Sequence, residues 1–255
     1  MDLFDLTGRT AVVTGSSRGI GRAIAEAMAA HGARVVISSR KGAPCEAVAA
    51  GIRAAGGTAE AIPANVSSDA EIERLVTETE ARLGAPDILV CNAAVNPYMG
   101  PLLDTPDDAF DKTVRVNVRA NMRLCARVVP GMRAKGGGAI VVVSSIAAFK
   151  GSRNLGMYAL TKAADVQLVR NVAVAHGADG IRANGIAPAV VRTDFARALY
   201  ADSAREAALA ASYPLGRIGE PADIAGAAVF LAAPAGAWMT GQTLVIDGGW
   251  SVSDG

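Results

Sequence analysis

Tyr158 and Lys162 stand with three residues between them in the run MYALTKAA, about one helical turn, so both side chains leave the same face of a helix. A phenol with an ordinary pKa near ~10 is a poor base at neutral pH. An ammonium about 5 Å away, at an effective dielectric of about 20, is worth roughly 3 kcal/mol or about two pKa units. That brings a phenol into the range of general acid/base work. Upstream, Ser144 and Ser145 close the apolar run VVVSSIAAF, where the Ser145 hydroxyl can hold a substrate oxygen while a hydride is exchanged at the adjacent carbon. Taken alone, the tyrosine and lysine prove little, because a packed tyrosine followed by a surface lysine is the ordinary meaning of that spacing.

Their weight comes from a second motif. TGSSRGIG follows the first apolar run, with Gly15, Gly19 and Gly21 where a strand must turn into a helix. Glycines let the backbone turn tightly against a pyrophosphate, and the helix N-terminus offers unpaired amide hydrogens and a partial positive charge. A purely structural turn uses the same residues; its place after the first strand of an alternating pattern favours a dinucleotide. The second strand ends in VVISSRK, with Ser39, Arg40 and Lys41 where an acidic residue would bind both ribose hydroxyls of NAD. Together with Arg18, these cations suit the 2′-phosphate of NADP, so NADP(H) is favoured over NAD(H). Arg40 and Lys41 as solvated turn residues is the other reading.

Such residues need a scaffold. Short β-branched runs recur at Thr10 to Thr14, Arg34 to Ser38, Ala59 to Pro63, Asp87 to Cys91, Ala139 to Ser144, Ile181 to Ala187 and Thr243 to Ile246. Between them lie helical segments including Ala23 to Ala30, Asp69 to Leu83, Thr105 to Met132, Met157 to Ala175 and Pro221 to Ala232. Alternation of this kind predicts an α/β fold: a single-domain, Rossmann-type, doubly wound sheet of seven parallel strands flanked by helices, spanning residues 1–255. Residues 193–214 break the rhythm and read either as a substrate lid or as an extra surface helix pair.

Other residues carry weaker signals. Asn117, in RVNVRAN, is an amide among apolar neighbours that can order a water or serve a structural hydrogen bond. His31 and His176 each precede a glycine at an expected helix end, where imidazole meets the last carbonyls and glycine takes the left-handed cap. Neither sits in a metal-ligand pattern, and no metal is expected. Asn96, Pro97, Tyr98, Ile146, Phe149, Val190, Phe195 and Leu199 are expected to line the substrate space. Arg153, Arg192 and Arg197 are either anchors for an acidic substrate group or solvated loop charges.

Composition narrows the partners. With 255 residues and a formal charge of +1, the chain lacks the field that would attract nucleic acid or anionic lipid. The acidic start MDLFDLTG does not read as a signal peptide, and Cys45, Cys91 and Cys125 show no disulfide or zinc spacing, which suits a reducing cytoplasm.

Across essentially its whole length the sequence resembles the short-chain dehydrogenase/reductase family. TGSSRGIG is similar to the family's TGxxxGxG turn, which implies cofactor contacts from Gly15, Ser17, Arg18, Gly19, Ile20 and Gly21. YALTK resembles its YxxxK motif. By that resemblance Tyr158 exchanges the proton with the substrate oxygen, Lys162 also binds the nicotinamide ribose, Ser145 orients the oxygen, and Asn117 holds a water in a proton relay. Thr193, five positions after Pro188, resembles the residue that binds the nicotinamide carboxamide. The family's Asn-Ala-Gly reads Asn92, Ala93, Ala94 here; its aspartate-valine reads Asn65, Val66, which assigns the adenine contact to an amide oxygen; its Pro-Gly reads Pro188, Ala189. The tail TGQTLVIDGGW resembles the strand that packs at a tetramer interface, implying a homotetramer. VVISSRK, NAAVNP and VVVSSIAAF are similar to the NADP-dependent carbonyl and retinal reductase branch, implying a small carbonyl or alcohol substrate. Two other functions stay open: a catalytically silent dinucleotide-binding sensor or structural subunit, and the dehydratase or epimerase chemistry of related folds.

Overall fold

The computed structural model describes residues 2–253. Seven strands, β1 (Thr10–Thr14), β2 (Arg34–Ser38), β3 (Thr58–Ala61), β4 (Ile88–Cys91), β5 (Gly138–Val143), β6 (Ile181–Pro188) and β7 (Thr243–Ile246), form one sheet. Every neighbouring pair is parallel, in the order β3-β2-β1-β4-β5-β6-β7. Among the described residues the α-helices are α1 (Gly19–Ala30), α2 (Gly42–Ala54), α3 (Asp69–Leu83), α4 (Asp107–Val114), α5 (Ala120–Ala134), α6 (Gly156–His176), α7 (Ser203–Ala211) and α8 (Pro221–Ala232).

Side chains alternate across a strand, and the two faces fill accordingly. Val13, Val35 and Ile37 pack with Ile24 and Met28 of α1, Ile52 of α2 and Ile224 of α8. Val12, Val36 and Leu89 meet Leu75 of α3, Leu124 and Val128 of α5 and Val169 of α6. Each Ile or Leu buried in this way contributes about 1.5–3 kcal/mol, which is why the strands read as continuous apolar runs. The winding reverses between β1 and β4, and at that point the strands' carboxyl ends leave a crevice.

Several boundaries differ from the sequence reading. β3 ends at Ala61, before Pro63, a residue with no amide to give to a ladder. β4 starts at Ile88 because Asp87 turns its carboxylate back to the Thr10 amide at 2.8 Å. The stretch expected as one helix from Thr105 to Met132 splits into α4, a π turn over Arg115–Arg119, and α5. α2 is a helix the apolar pattern did not single out; Gly42, Pro44 and Gly51 dilute its signal. His31 caps α1, its Nδ1 lying 2.8 Å from the Ala27 carbonyl, with Gly32 left-handed at φ +92. His176 differs: Gly177 stays right-handed at φ −59, the left-handed residue is Gly180, and the ring faces Asp179 at 3.2 Å.

Candidate active site

The crevice holds a cavity of about 1670 Å³. The glycine turn forms one wall. Gly15 (φ +67) and Gly19 (φ +56) take backbone conformations that side-chain-bearing residues avoid, and a Cβ on Gly15 would stand 2.8 Å from the Asn92 side chain. The N-cap of α1, Arg18, offers no capping side chain, and no acid stands in the first turn, whereas Ser68 caps α3 and Asp202 caps α7. The first amides of α1 are therefore offered to a ligand anion. These features fit a dinucleotide pyrophosphate.

Of the expected cofactor residues, Gly15, Ser17, Arg18, Gly19, Ile20, Ser39, Arg40, Lys41, Asn65, Val66, Asn92, Ala93, Tyr158, Lys162, Pro188 and Thr193 all line this cavity. Gly21 does not. It lies buried, and a Cβ there would overlap the Asn92 amide and the Gly15 carbonyl, so its job is to seat the helix against the turn. Asn92 fastens the turn from the other side, its Nδ2 donating to the carbonyls of Thr14 at 2.9 Å and Gly15 at 3.2 Å. The Asn65 oxygen assigned to adenine already accepts from the Ser67 amide and hydroxyl at 3.2 and 2.8 Å, which fills its two lone pairs.

The acid/base candidates meet on the opposite wall, with Ser145, Tyr158 and Lys162 all facing the cavity. The two adjacent serines part ways. Both line the cavity, but the buried Ser144 turns its hydroxyl to the Lys162 carbonyl at 2.8 Å, pinning α6 to the end of β5, while the Ser145 hydroxyl reaches Tyr158. The Lys162 ammonium lies 5.7 Å from the centre of the Tyr158 ring, so phenol and amine share one side as the spacing predicts. At that separation and an effective dielectric of about 20, their attraction is roughly 3 kcal/mol.

The net effect on the phenol is nevertheless opposite to the sequence expectation. Burial pushes Tyr158 above its ordinary pKa and outweighs the pull of Lys162; Asp165 adds to the rise and Ser145 opposes it. Asp165 is the residue that sequence reasoning missed. Its Oδ2 lies 2.9 Å from Lys162 Nζ, its Oδ1 accepts from Asn121 Nδ2 at 2.9 Å, and both Lys162 and Asp165 are buried. An acid in KAADVQLV, in an alanine-rich stretch one turn after the lysine, was the available signal.

Asn117 is also buried, and its side chain is fully engaged. Oδ1 accepts from the Val95 amide at 2.9 Å, and Nδ2 donates to the Val95 carbonyl at 3.0 Å and to Thr161 Oγ1 at 3.1 Å. These bonds fasten the loop after β4 to α6. The π turn that breaks the long helix is where this residue inserts.

Apolar groups cover the outer mouth. Phe195 stands 6.0 Å from Tyr158, ring centre to ring centre, and Leu199, Leu209 and Tyr213 of the same segment line the cavity. Asn96, Pro97, Ile146 and Val190 line it as expected; Tyr98, turned toward the Pro101 carbonyl, and Phe149, half exposed, do not. None of Arg153, Arg192 and Arg197 reaches it, and Arg192 is taken up by Glu206 and Glu220. Lys150 does, its ammonium resting on the Trp250 ring. Among the described residues no group of three His, Cys, Asp or Glu side chains could hold a metal ion, and no helix is long and apolar enough to cross a membrane.

A doubly wound parallel sheet with a glycine turn and a Ser-Tyr-Lys cluster on one crevice defines a dinucleotide-dependent oxidoreductase acting on CH–OH groups. Comparison with known proteins agrees. A family model described as Enoyl-(Acyl carrier protein) reductase matches residues 15–251. Dehydrogenase/reductase SDR family member 4 of Bos taurus is 40% identical over 244 residues, 96% of this chain and 88% of the relative. L-rhamnose 1-dehydrogenase (NAD(P)(+)) of Azotobacter vinelandii is 38% identical over 97% of this chain and 98% of its own. A crystal structure of a gluconate 5-dehydrogenase from Burkholderia cenocepacia, in complex with NADP and tartrate, superposes with TM-score 0.94 at 35% identity, covering 99% of this chain and 98% of that one. A 7α-hydroxysteroid dehydrogenase complexed with NADH and 7-oxo glycochenodeoxycholic acid gives TM-score 0.93 at 37% identity over 97% and 96%. The chain belongs to the short-chain dehydrogenase/reductase family.

Proposed function

We propose that the protein is an NADP(H)-dependent reductase of ketones or aldehydes, running the reverse alcohol oxidation when supplied with oxidised cofactor. The observation that carries this reading is one open crevice onto which the cationic end of β2 and the Ser145, Tyr158 and Lys162 side chains all face. Arg18, Arg40 and Lys41 would hold the 2′-phosphate, and Thr193 the nicotinamide end. The bound dinucleotide supplies the hydride. Ser145 orients the substrate oxygen, Tyr158 passes it a proton, and Lys162 steadies the charge beside the phenol.

The reading treats the chain as one domain, with 193–214 as the substrate lid. Phe195, Leu199 and Tyr213 from that segment, with Met99 and Leu155 opposite, favour an apolar carbonyl over a polyhydroxylated sugar acid. β7 is an edge strand with Val245 and nearby Trp238 exposed, an apolar border that a second copy would cover in a homotetramer. Three buried free cysteines suit a reducing cytoplasmic compartment.

The test is turnover of NADPH and NADH, side by side, on ketones, quinones and β-keto esters, with gluconate as the sugar-acid control. NADPH oxidation that drops about 10²–10⁴-fold in Tyr158→Phe, with NADPH binding retained, is the expected result. Binding without turnover on any carbonyl, and a Tyr158→Phe protein indistinguishable from wild type, would establish the silent sensor instead.

A further inference from the structure

Lys162 is a cation with three donors, almost wholly buried at the back of the cavity. Its Nζ donates to the Val143 carbonyl at 2.9 Å and to Asp165 Oδ2 at 2.9 Å, so two of the three are committed away from the cavity. Asp165 in turn is held by Asn121, which spans from Asp165 to the Asn117 carbonyl at 2.9 and 2.8 Å. Burial holds the Asp165 carboxyl above its ordinary pKa, while the Lys162 ammonium and the Asn121 amide favour its charged form, so the pair is an ion pair set into the core.

We propose that Asp165 is a positioning residue for the reaction: it clamps the Lys162 ammonium to β5 and shares its charge, and thereby sets the pH at which Tyr158 exchanges a proton with the substrate. The inference rests on the proposed roles of Tyr158 and Lys162. An unpaired ammonium would act on the phenol with its whole charge. Paired with a carboxylate it acts as a dipole, and the phenol keeps its proton to higher pH.

The other titratable groups facing the pair do not supply this charge. Cys91 of β4 is held well above its ordinary pKa by its hydrogen bond to Cys125 of α5 and by burial, so it is a neutral thiol. β5 contributes only the Val143 carbonyl, and α5 the neutral Asn121. Within α6, burial would lower Lys162, and Asp165 and Tyr158 more than restore it.

Asp165→Asn keeps the shape and removes the charge; its single oxygen can accept from Asn121 or from Lys162 but not from both. The ammonium then acts on the phenol with its whole charge, and Tyr158 releases its proton at lower pH. The experiment follows kcat/KM for alcohol oxidation with NADP⁺ from mildly acidic to alkaline pH. It is paired with a tyrosinate absorbance titration, corrected by the same titration in Tyr158→Phe. The rising limb and the Tyr158 titration should both move acid by about one pH unit or more, and Asp165→Glu should restore them. A folded Asp165→Asn whose activity falls equally at every pH, with the titration unmoved, overturns the assignment and leaves Asp165 a structural residue. If Tyr158→Phe is inactive in that case, the reading of the site survives and only this inference falls. Should Asp165→Asn not fold, Asp165→Ser gives the same readout. Carbon-13-labelled lysine and tyrosine in the wild-type protein offer a further check, because Lys162 must stay protonated above the pH at which Tyr158 titrates, and the reverse order overturns the assignment.

Discussion

The Ser17 amide donates to the Ser39 hydroxyl at 3.3 Å, tying the glycine turn to the end of β2 at the point where a ribose would lie. An aspartate at position 39 would keep that tie, accept from ribose hydroxyls and repel a 2′-phosphate. Ser39→Asp should therefore raise KM for NADPH by about 10–100-fold, a loss of about 1.4–2.8 kcal/mol, while NADH improves. Steady-state kinetics with both cofactors decide it; an unchanged ratio removes Ser39 from cofactor choice.

Ser144 and Ser145 are neighbours with different work. Ser145→Ala should lower kcat at least tenfold with little change in melting temperature, because its hydroxyl faces the cavity. Ser144→Ala removes a buried donor from the Lys162 carbonyl and should cost about 1–3 kcal/mol of stability. Thermal melts and kinetics on the two variants test the split, and equal effects on both measures would refute it.

Two glycines should respond to alanine in opposite directions. Gly21→Ala forces a methyl into the Asn92 amide and the Gly15 carbonyl, so it should destabilise by about 1–3 kcal/mol and abolish cofactor binding. Gly51, inside α2 with open space around it, should gain about 0.5–1 kcal/mol as Gly51→Ala. Chemical denaturation reads both, provided the unfolding is cooperative.

Asp223 receives both Arg217 nitrogens at 2.6 and 2.8 Å and the Glu220 amide at 2.7 Å, where it caps α8. The Arg217 contact, then the Glu220 amide, lowers its pKa from 3.8 to about 2. A group with a depressed folded pKa stabilises fully above its unfolded value and loses that contribution as pH falls through about 2. Asp223→Ala should cost about 1–2 kcal/mol near neutrality, and the difference from wild type should shrink below pH 3.8. Urea titrations at neutral and acid pH measure it; a constant difference would refute the linkage.

Much of the scaffold was legible because burial on both faces leaves an unmistakable mark. β1, β2 and β7 begin and end where their β-branched runs do. Tyr158, Lys162 and Ser145 were readable because helix period and strand end place them by local geometry alone. What escaped depended on contacts distant in the chain. Asn117 bulges its helix because Val95 draws its amide across, and no window of sequence contains both residues. Asp165 was overlooked for a different reason: an acid in a helix is ordinarily a solvated charge, and only the folded chain brings Lys162 and Asn121 onto this one and buries it. The phenol's direction of shift escaped mainly because the spacing argument counted the cation and not the burial of the ring, to which Asp165 then adds.

The reversal of winding between β1 and β4 divides the labour of the chain as well as its sheet. On the proposed reading, the groups that recognise the adenosine phosphate end at Val66, and those that handle the carbonyl begin after Asn92. A chimera joined between those points, with its amino-terminal portion taken from an NADH-using relative, would change the reductant and leave the choice of carbonyl intact.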